Sequence, residues 1–459
     1  MNRIADDICY WREIAPKALR NKPDEEILAW VEKCNQQGTL HIQRRYSQNK
    51  LPESIGQLQN LHTLNLGECS LITLPESIGR LKNLQTLVVW DCETLTTLPE
   101  SIGQLQNLQT LYVKDCKKLT TLPERIGQLK NLQRLDFSYC KNLSMLPESI
   151  GALQNLQTLY LKDCENLTTP LKNIGTLQNL HTLILWRNKN ITMLPECIGQ
   201  LKNLQRLDLM GCENLTTLPE SIGTLRNLQE LNLSHCKITT LPDGIGQLQN
   251  LQRLDLGGCE NLTMLPESIG QLHNLQELNL CNCKITALPD GIGHLQNLQK
   301  LDLGYCNITT LPESIGQLHN LQELDLSYCK ITTLPDGIGQ LQNLQRLNLN
   351  WCKSLTTLPE TIGQLSNLWE LSLQRCYKLT VLPESIGQLH NLLRLDLRSC
   401  KNLTMLPESI GQLQNLNTLN FDDSQNSMIV PESIKQLRKG VVRVFDRMSL
   451  KTLLSMFPE

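Results

Sequence analysis

The dipeptide Leu-Pro returns along this chain in a fixed phase. It stands at Leu51, Leu74, Leu98, Leu122 and Leu146, resumes at Leu194, and continues to Leu406 in steps of 23 or 24 residues. The one double step contains "TTPLKNIG", where Pro170-Leu171 reverses the order without losing the phase. Val430-Pro431 carries the phase past Leu406. A period of this size marks stacked supersecondary units, because one such unit cannot bury its own apolar face. The 459 residues are therefore one array rather than two or three ordinary domains.

One unit reads "LPESIGQLQNLQTLYVKDCKKLTT" (98–121). Leu111 and Val113 alternate with Tyr112 and Lys114, the period of a strand with one buried face. Pro and Gly at fixed offsets punctuate a return path. Sixteen units run from Leu51 to Ile429, with short strands paired into a parallel sheet. Asn107 and its equivalents in "NLQ" are expected to form a turn-capping ladder. Fourteen of the 18 cysteines share one position, from Cys69 to Cys400. Their side chains run parallel, which disfavours disulfides, so they are expected to be small, buried, reduced thiols. They lack the convergent spacing of a zinc site, and no metal or cofactor is expected. Eight N-x-S/T sequons mostly recur just past the cysteine and are read as a by-product of the repeat.

Formal net charge is −2 and the sequence pI is about 6.5, so no basic excess invites nucleic acid. No apolar run approaches the ~20 residues of a membrane span. Asp6, Asp7 and Glu13 stand where a signal peptide needs an apolar stretch. The expectation is a cytoplasmic, monomeric protein without membrane partners. Single carboxylates repeat with the period instead of converging, and His273, His319 and His390 fall on the return path. With no nucleophile and base together, the chain is read as a non-enzyme.

The string C-x-x-L-T-x-L-P-E-S-I-G-x-L-x-N-L-x-x-L resembles the Cys-bearing leucine-rich repeats of plant intracellular resistance proteins. It is also similar to arrays that intracellular bacteria such as Legionella inject into host cells. The resemblance covers roughly 380 of the 459 residues. It implies an α/β fold: a curved leucine-rich repeat solenoid with a parallel β-sheet on its concave face. It does not carry over a nucleotide switch, since no G-x-x-x-x-G-K-[ST] loop occurs, nor a ligase domain with a nucleophilic cysteine.

Three regions follow. Residues 1–50 read as a helical cap plus a degenerate opening strand. Pro23, Asp24, Glu25 and Glu26 begin a helix over 24–37 that Gly38 ends, and Arg45 stands where cysteine belongs. Residues 51–429 are the repeats, the last departing most, with Phe421 in its strand and Ser424 at the cysteine position. Residues 430–459 read as a cap, with a strand at 440–446 and a helix at 447–457.

A protein partner is expected on the concave sheet. From Arg206 to Arg394 the residue before each strand leucine alternates in sign, which reads as a charge ladder between neighbouring strands. Asp and Asn two positions later read as part of the same alternation. Aromatics are only 4% of the chain, yet Trp90, Tyr112, Tyr139, Tyr160 and Trp186 fall on or beside this face. Tyr305, Tyr328 and Trp351 form a column on three successive strands. Arg187 joins Trp186 in the irregular unit, where Asn188 takes the cysteine position and Cys197 replaces serine. Trp, Tyr and Arg are the favoured anchors of protein interfaces. The same surface would serve a bacterial effector in a host cytosol. A structural spacer, or an enzyme with chemistry in the caps, are the other readings.

Overall fold

The computed structural model describes residues 2–43, 49–168, 173–421, 429–437 and 442–444. These fall into two compact units, Met1–Glu230 and Leu231–Glu459. Both repeat one coil: a short strand, a turn, the ladder residue, an extended Leu-Pro segment and a 3-10 turn.

The first unit opens with α1 (Asn2–Asp6), α2 (Ile8–Ile14) and α3 (Asp24–Gln37). Asp24, Glu25 and Glu26 fill the first turn of α3, where free N–H groups favour acids. Gly38 closes it at φ 70°. Ile27 and Val31 are buried, as is Trp11 of α2. The Trp11 indole donates to Ser54 Oγ at 2.9 Å, and Asp7 accepts from the Ser54 N–H at 2.9 Å. That carboxylate is the first rung of a ladder. In the repeats Glu53 accepts from the Ser77 N–H and Glu76 from the Ser101 N–H, both at 3.2 Å. Glutamates after Leu-Pro thus cap the 3-10 turn of the next coil, as Glu267 does at Gly291 and Glu384 at Ser409.

The strands are β1 (Thr39–Gln43), β2 (Thr63–Gly67), β3 (Thr86–Trp90), β4 (Thr110–Lys114), β5 (Arg134–Asp136), β6 (Thr158–Tyr160), β7 (Thr182–Ile184) and β8 (Arg206–Asp208). Neighbours pair in parallel with leucines in register, as in Leu64↔Leu87 and Leu87↔Leu111. The unit boundary falls inside β9 (Glu230–Asn232). The second unit continues with β10 (Arg253–Asp255), β11 (Glu277–Asn279), β12 (Lys300–Asp302), β13 (Glu323–Asp325) and β14 (Arg346–Asn348). It ends with β15 (Glu370–Ser372), β16 (Arg394–Leu397), β17 (Thr418–Phe421) and β18 (Val442–Val444), again parallel.

Three side-chain ladders join the coils. Asn107 Nδ2 donates to Lys82 O and Asn131 Nδ2 to Gln106 O, both at 2.8 Å, so the "NLQ" asparagines cap the return turn of the preceding coil. All eighteen cysteines are free thiols. Those of the column are buried, and most of their Sγ atoms point at carbonyls of the preceding coil, as with Cys140 on Val113 O and Cys212 on Leu185 O at 3.2 Å. Glycine in "SIG" lets coils approach: a Cβ on Gly56 would lie 2.5 Å from Ser77 O.

The structure corrects one sequence expectation here. Asp and Asn in the strands do not serve chiefly as charges. Asp136 accepts from the N–H of Ser138 at 2.8 Å, Asp255 from Gly257 at 2.9 Å and Asp325 from Ser327 at 2.7 Å. Each side chain takes an amide two residues on, a local bond that competes with the sheet ladder. Strands β2 to β4, with Asn65, Val88 and Tyr112 at this position, run five residues; those with Asp136 or Asp255 run three, as do β6 and β7 with Tyr160 and Ile184, and β16 with Asp396 runs four.

Residues 169–172, with the inverted Pro170-Leu171, lie outside the described residues, as do Arg45, Ser424 and the 447–457 helix expected from sequence. Past the inversion the 3-10 turn covers only Ile174–Thr176, where most units have five residues such as Glu196–Gln200.

Candidate partner-binding surface

Every coil offers the same four outward positions, counted back from the ladder residue. The turn position precedes it directly. The rim position lies two before, the centre position four before, and the lead position six before.

The turn position has left-handed backbone throughout. Tyr139 has φ 66°, Arg187 57°, Tyr305 62°, Tyr328 61° and Trp351 62°. Its N–H donates to the next coil's rim carbonyl, as Tyr305 does to Ser327 O at 2.7 Å and Trp351 to Gln374 O at 2.7 Å. This hydrogen bond fixes the conformation whatever the side chain. Gly211, Gly258 and Asn282 fill the position elsewhere, and such residues enter this region most readily. The column of Tyr305, Tyr328 and Trp351 therefore stands in the turns beside the sheet, not on the strands as the sequence suggested. The left-handed turn follows the rim position even where strands run five residues, as at Glu68, Asp91 and Asp115.

In the second unit this column is a continuous stack. Tyr305 and Tyr328 lie 4.1 Å apart between ring centroids and 11° from parallel; Tyr328 and Trp351 follow at 5.0 Å and 15°. Tyr377 meets Trp351 edge-on at 6.3 Å. The guanidinium of Arg375, itself in the turn position, lies 4.1 Å from the Trp351 ring. Tyr305 is 52% exposed and Tyr328 37%. A hydrogen bond with Tyr328 holds the Tyr305 hydroxyl above its ordinary pKa. Because ring faces meet one another, the stack presents edges and hydroxyls outward.

The charge ladder beside it is largely self-paired. Arg253 reaches Glu277 at 3.2 Å and Lys300 reaches Glu323 at 3.8 Å, while Arg346 also bonds Glu323. Arg346 and Arg394 flank the Trp369 ring at 5.6 and 6.0 Å. Between ladder and stack, burial raises the Asp302 carboxyl, against the pull of the Gly304 N–H, and Asp325 and Asp255 add to the rise. Burial, with Asp302, Asp325 and Asp255, pushes the Cys281 thiol up to about 11.

In the first unit the lead positions are mostly threonines, among them Thr86, Thr110, Thr158 and Thr182. Tyr112 and Tyr160 take centre positions, and Trp90 and Trp186 rim positions. Lys114 lies 5.1 Å from the Tyr112 ring and pairs with the buried Asp136 at 2.8 Å. Lys162 lies 5.4 Å from the Tyr160 ring and 5.4 Å from Trp186, and Arg187 lies 5.2 Å from Trp186. Tyr160, Lys162, Trp186 and Arg187 are thus one cluster and Tyr112 with Lys114 another. The Trp90 indole lies over Gly67, where a Cβ would collide with it. Tyr139 is exposed in its turn, with no ring contact recorded among the described residues.

Sequence reasoning missed Trp369, Arg375 and Tyr377. The available signal was departure from the column: Trp369 replaces glutamine in "NLQ", and Tyr377 replaces the lysine or glutamate usual after the cysteine.

A family model described as "Leucine-rich repeat region" matches residues 39–116, 90–188, 159–254, 228–306 and 299–381. A leucine-rich repeat protein of Leptospira interrogans has 38% identity to the chain and TM-score 0.69, over 91% of this chain and 98% of that one. The chain belongs to the leucine-rich repeat family. The structure is also similar to a plant peptide hormone receptor, RGFR1 in complex with RGF2, at 27% identity and TM-score 0.52, covering 88% of this chain and 69% of that one. The functional domain of InlJ from Listeria monocytogenes, described as including a cysteine ladder, shares the fold at 20% identity and TM-score 0.57, covering 86% and 74%. No curated protein matches this leucine-rich repeat chain in sequence. Among its described residues no helix is long and apolar enough to cross a membrane, and no group of three or more His, Cys, Asp or Glu could hold a metal ion.

Proposed function

We propose that this leucine-rich repeat protein is a non-enzymatic binding module that takes a protein segment on the outward sheet face and the turn column beside it. The observation that carries the reading is the stack of Tyr305, Tyr328 and Trp351. Left-handed backbone costs an L-residue about 1–2 kcal/mol, so the three residues hold roughly 3–6 kcal/mol of strain. Two stacked pairs return about 0.5–1.5 kcal/mol each. The Arg375 contact adds about 0.5–2 kcal/mol. Glycine and asparagine meet the same backbone demand at Gly258 and Asn282 without bulky rings. Strained, exposed aromatics that barely offset their own cost point to a use outside the fold. The plant receptor in complex with RGF2 is a family precedent for binding a partner. The free thiol column supports a reducing compartment and, with it, a cytoplasmic protein.

The test is selection of peptides from a random display library on the full-length chain. Selected peptides should lose binding at least about tenfold to a variant carrying Tyr305→Asn, Tyr328→Asn and Trp351→Asn. A selection that yields no binders, or binders indifferent to those changes, removes this face as the binding surface.

A further inference from the structure

The cluster around Trp186 holds a donor without an acceptor. Trp186 Nε1 is buried and has no hydrogen-bond partner among the described residues. Buried polar groups are normally paired, and each exception asks for an explanation. Beside it lies Lys162, with its ammonium 5.4 Å from both the Trp186 and Tyr160 rings and no ion pair among the described residues. Other lysines of the same unit find acids: Lys114 with Asp136 at 2.8 Å, Lys141 with Glu165 at 2.7 Å, Lys189 with Glu213 at 3.7 Å. Arg187, with φ 57° and an exposed side chain, adds a second cation against the indole at 5.2 Å.

Nearby centre-position acids are already engaged. Asp136 holds Lys114 and the Ser138 N–H, and Asp208 holds Arg206 at 3.4 Å and the Met210 N–H at 3.1 Å. The lead residues Thr158 and Thr182 are uncharged. Asp163 stands in the turn position directly after Lys162, where its N–H donates to Trp186 O at 2.7 Å. An indole N–H and a free ammonium side by side are two donors suited to one carboxylate.

We propose that Trp186, Lys162 and Arg187 receive an acidic side chain of an extended partner segment, with the carboxylate accepting from Trp186 Nε1 and pairing with Lys162. The identification of the partner as protein rests on the reading above; the charge of the segment rests on this cluster alone. The indole N–H is covered in the free protein, so binding includes a side-chain movement. Lys162, on its flexible stem, is the group expected to swing from ring face to carboxylate.

A fluorescein-labelled short oligo-glutamate peptide, titrated against the full-length chain by anisotropy, tests this. Trp186→Phe keeps a ring and deletes the donor. It should weaken oligo-glutamate binding at least about fivefold. Lys162→Met should weaken it by about tenfold or more, and Trp369→Phe in the second unit should leave it unchanged. Absence of oligo-glutamate binding, equal binding of oligo-lysine, or indifference to both Trp186→Phe and Lys162→Met overturns the proposal. Displacement by inorganic phosphate at the same concentration as unlabelled peptide also overturns it, by marking a free-anion site. Should Trp186→Phe lower the melting temperature markedly, Lys162→Met alone decides. Library peptides that depend on the Tyr305 stack but ignore both first-unit changes would sink this proposal and leave the binding function standing.

Discussion

Asn188 separates two explanations of the ladder position, hydrogen bonding and size. Its neighbours in the column are cysteines, each contributing one weak S–H donor, such as Cys212 on Leu185 O at 3.2 Å. Asn188 does more. It donates to Leu161 O at 2.6 Å and to Leu185 O at 2.7 Å, and accepts from the Cys164 N–H at 3.0 Å. Its side chain is fully buried. Asn188→Ala removes three bonds and strands the Leu161 carbonyl and the Cys164 N–H, while Leu185 O keeps the Cys212 thiol. At about 1 kcal/mol net for each bond the loss is roughly 1–3 kcal/mol. Asn188→Cys should cost under about 1 kcal/mol, because the usual arrangement can take over. The thiol would face Leu161 O as Cys212 faces Leu185 O. The Cys164 N–H would turn to Leu161 O as Cys140 N turns to Phe137 O at 3.3 Å. Urea denaturation followed by circular dichroism measures both, with unchanged slopes required, since repeat arrays can unfold in stages. If the cysteine variant loses as much as the alanine variant, the column is set by something other than local hydrogen bonding. If alanine costs less than about 0.5 kcal/mol, the three bonds contribute nothing.

Four further outcomes follow from the ladders. Ser221→Ala and Ser268→Ala, which remove buried hydroxyls without partners, should leave stability unchanged or raise it by up to about 1 kcal/mol in urea melts, whereas Ser54→Ala should cost about 1–2 kcal/mol by stranding the Trp11 indole. Gly56→Ala should cost about 1–3 kcal/mol or more by the same assay, because the new Cβ meets Ser77 O on the facing coil. Burial pushes the thiols of Cys212, Cys259, Cys306 and Cys352 up to about 12, against about 8.5 when unfolded. The folded state then holds protons that the unfolded chain releases, so stability is full below pH ~8.5 and falls above it by up to about 1.4 kcal/mol per pH unit per thiol; a melting temperature that stays level from pH 8 to 10 would contradict this. Tyr305→Asn gives up one stack and relieves one strained turn, so its melting curve should shift by less than about 1 kcal/mol, while binding of library-selected peptides drops.

How far the sequence could be read depended on whether a residue's role is periodic. The register of strands, the asparagine caps and the reduced cysteine column all recur with the Leu-Pro phase, and backbone ladders must recur if coils stack. The helix over 24–37 was legible because Pro23 and Gly38 bracket it, and α3 has those bounds. Strand length was not legible. Leu-x-Leu continues into the cysteine by alternation alone, and nothing in that pattern says an aspartate oxygen will take the amide two residues on. The left-handed turn after each rim position was equally unmarked, since it takes residues as different as Glu68, Gly211 and Trp351, and it puts Tyr305, Tyr328 and Trp351 beside the sheet. Trp369, Arg375 and Tyr377 escaped notice because each was read within its own unit. Set against their columns, Trp369 and Tyr377 are exceptions, whereas the turn column holding Arg375 has no common residue and already contains Arg187. The inverted Pro170-Leu171 was legible as an irregularity, and the shortened 3-10 turn at Ile174–Thr176 lies directly after it.

The two units have different residues left over once internal pairing is counted, and that difference orders the binding reading. In the second unit Arg253 with Glu277, and Glu323 with both Lys300 and Arg346, are already satisfied, as are the centre aspartates on their amides. A partner meeting that sheet would have to break such pairs, each exposed and weak but solvated as it stands. The accessible, unspent surface is the aromatic column one step outward. In the first unit the lead positions of β1 to β8 are threonines apart from Arg134 and Arg206, and the unspent groups include Lys162, Arg187 and the Trp186 N–H. The surface a repeat protein offers is thus what its ladders do not consume. On this argument, exchanging Arg253 and Glu277 keeps the pair and should leave binding intact, whereas neutralising Lys162, which pairs with no acid among the described residues, should not.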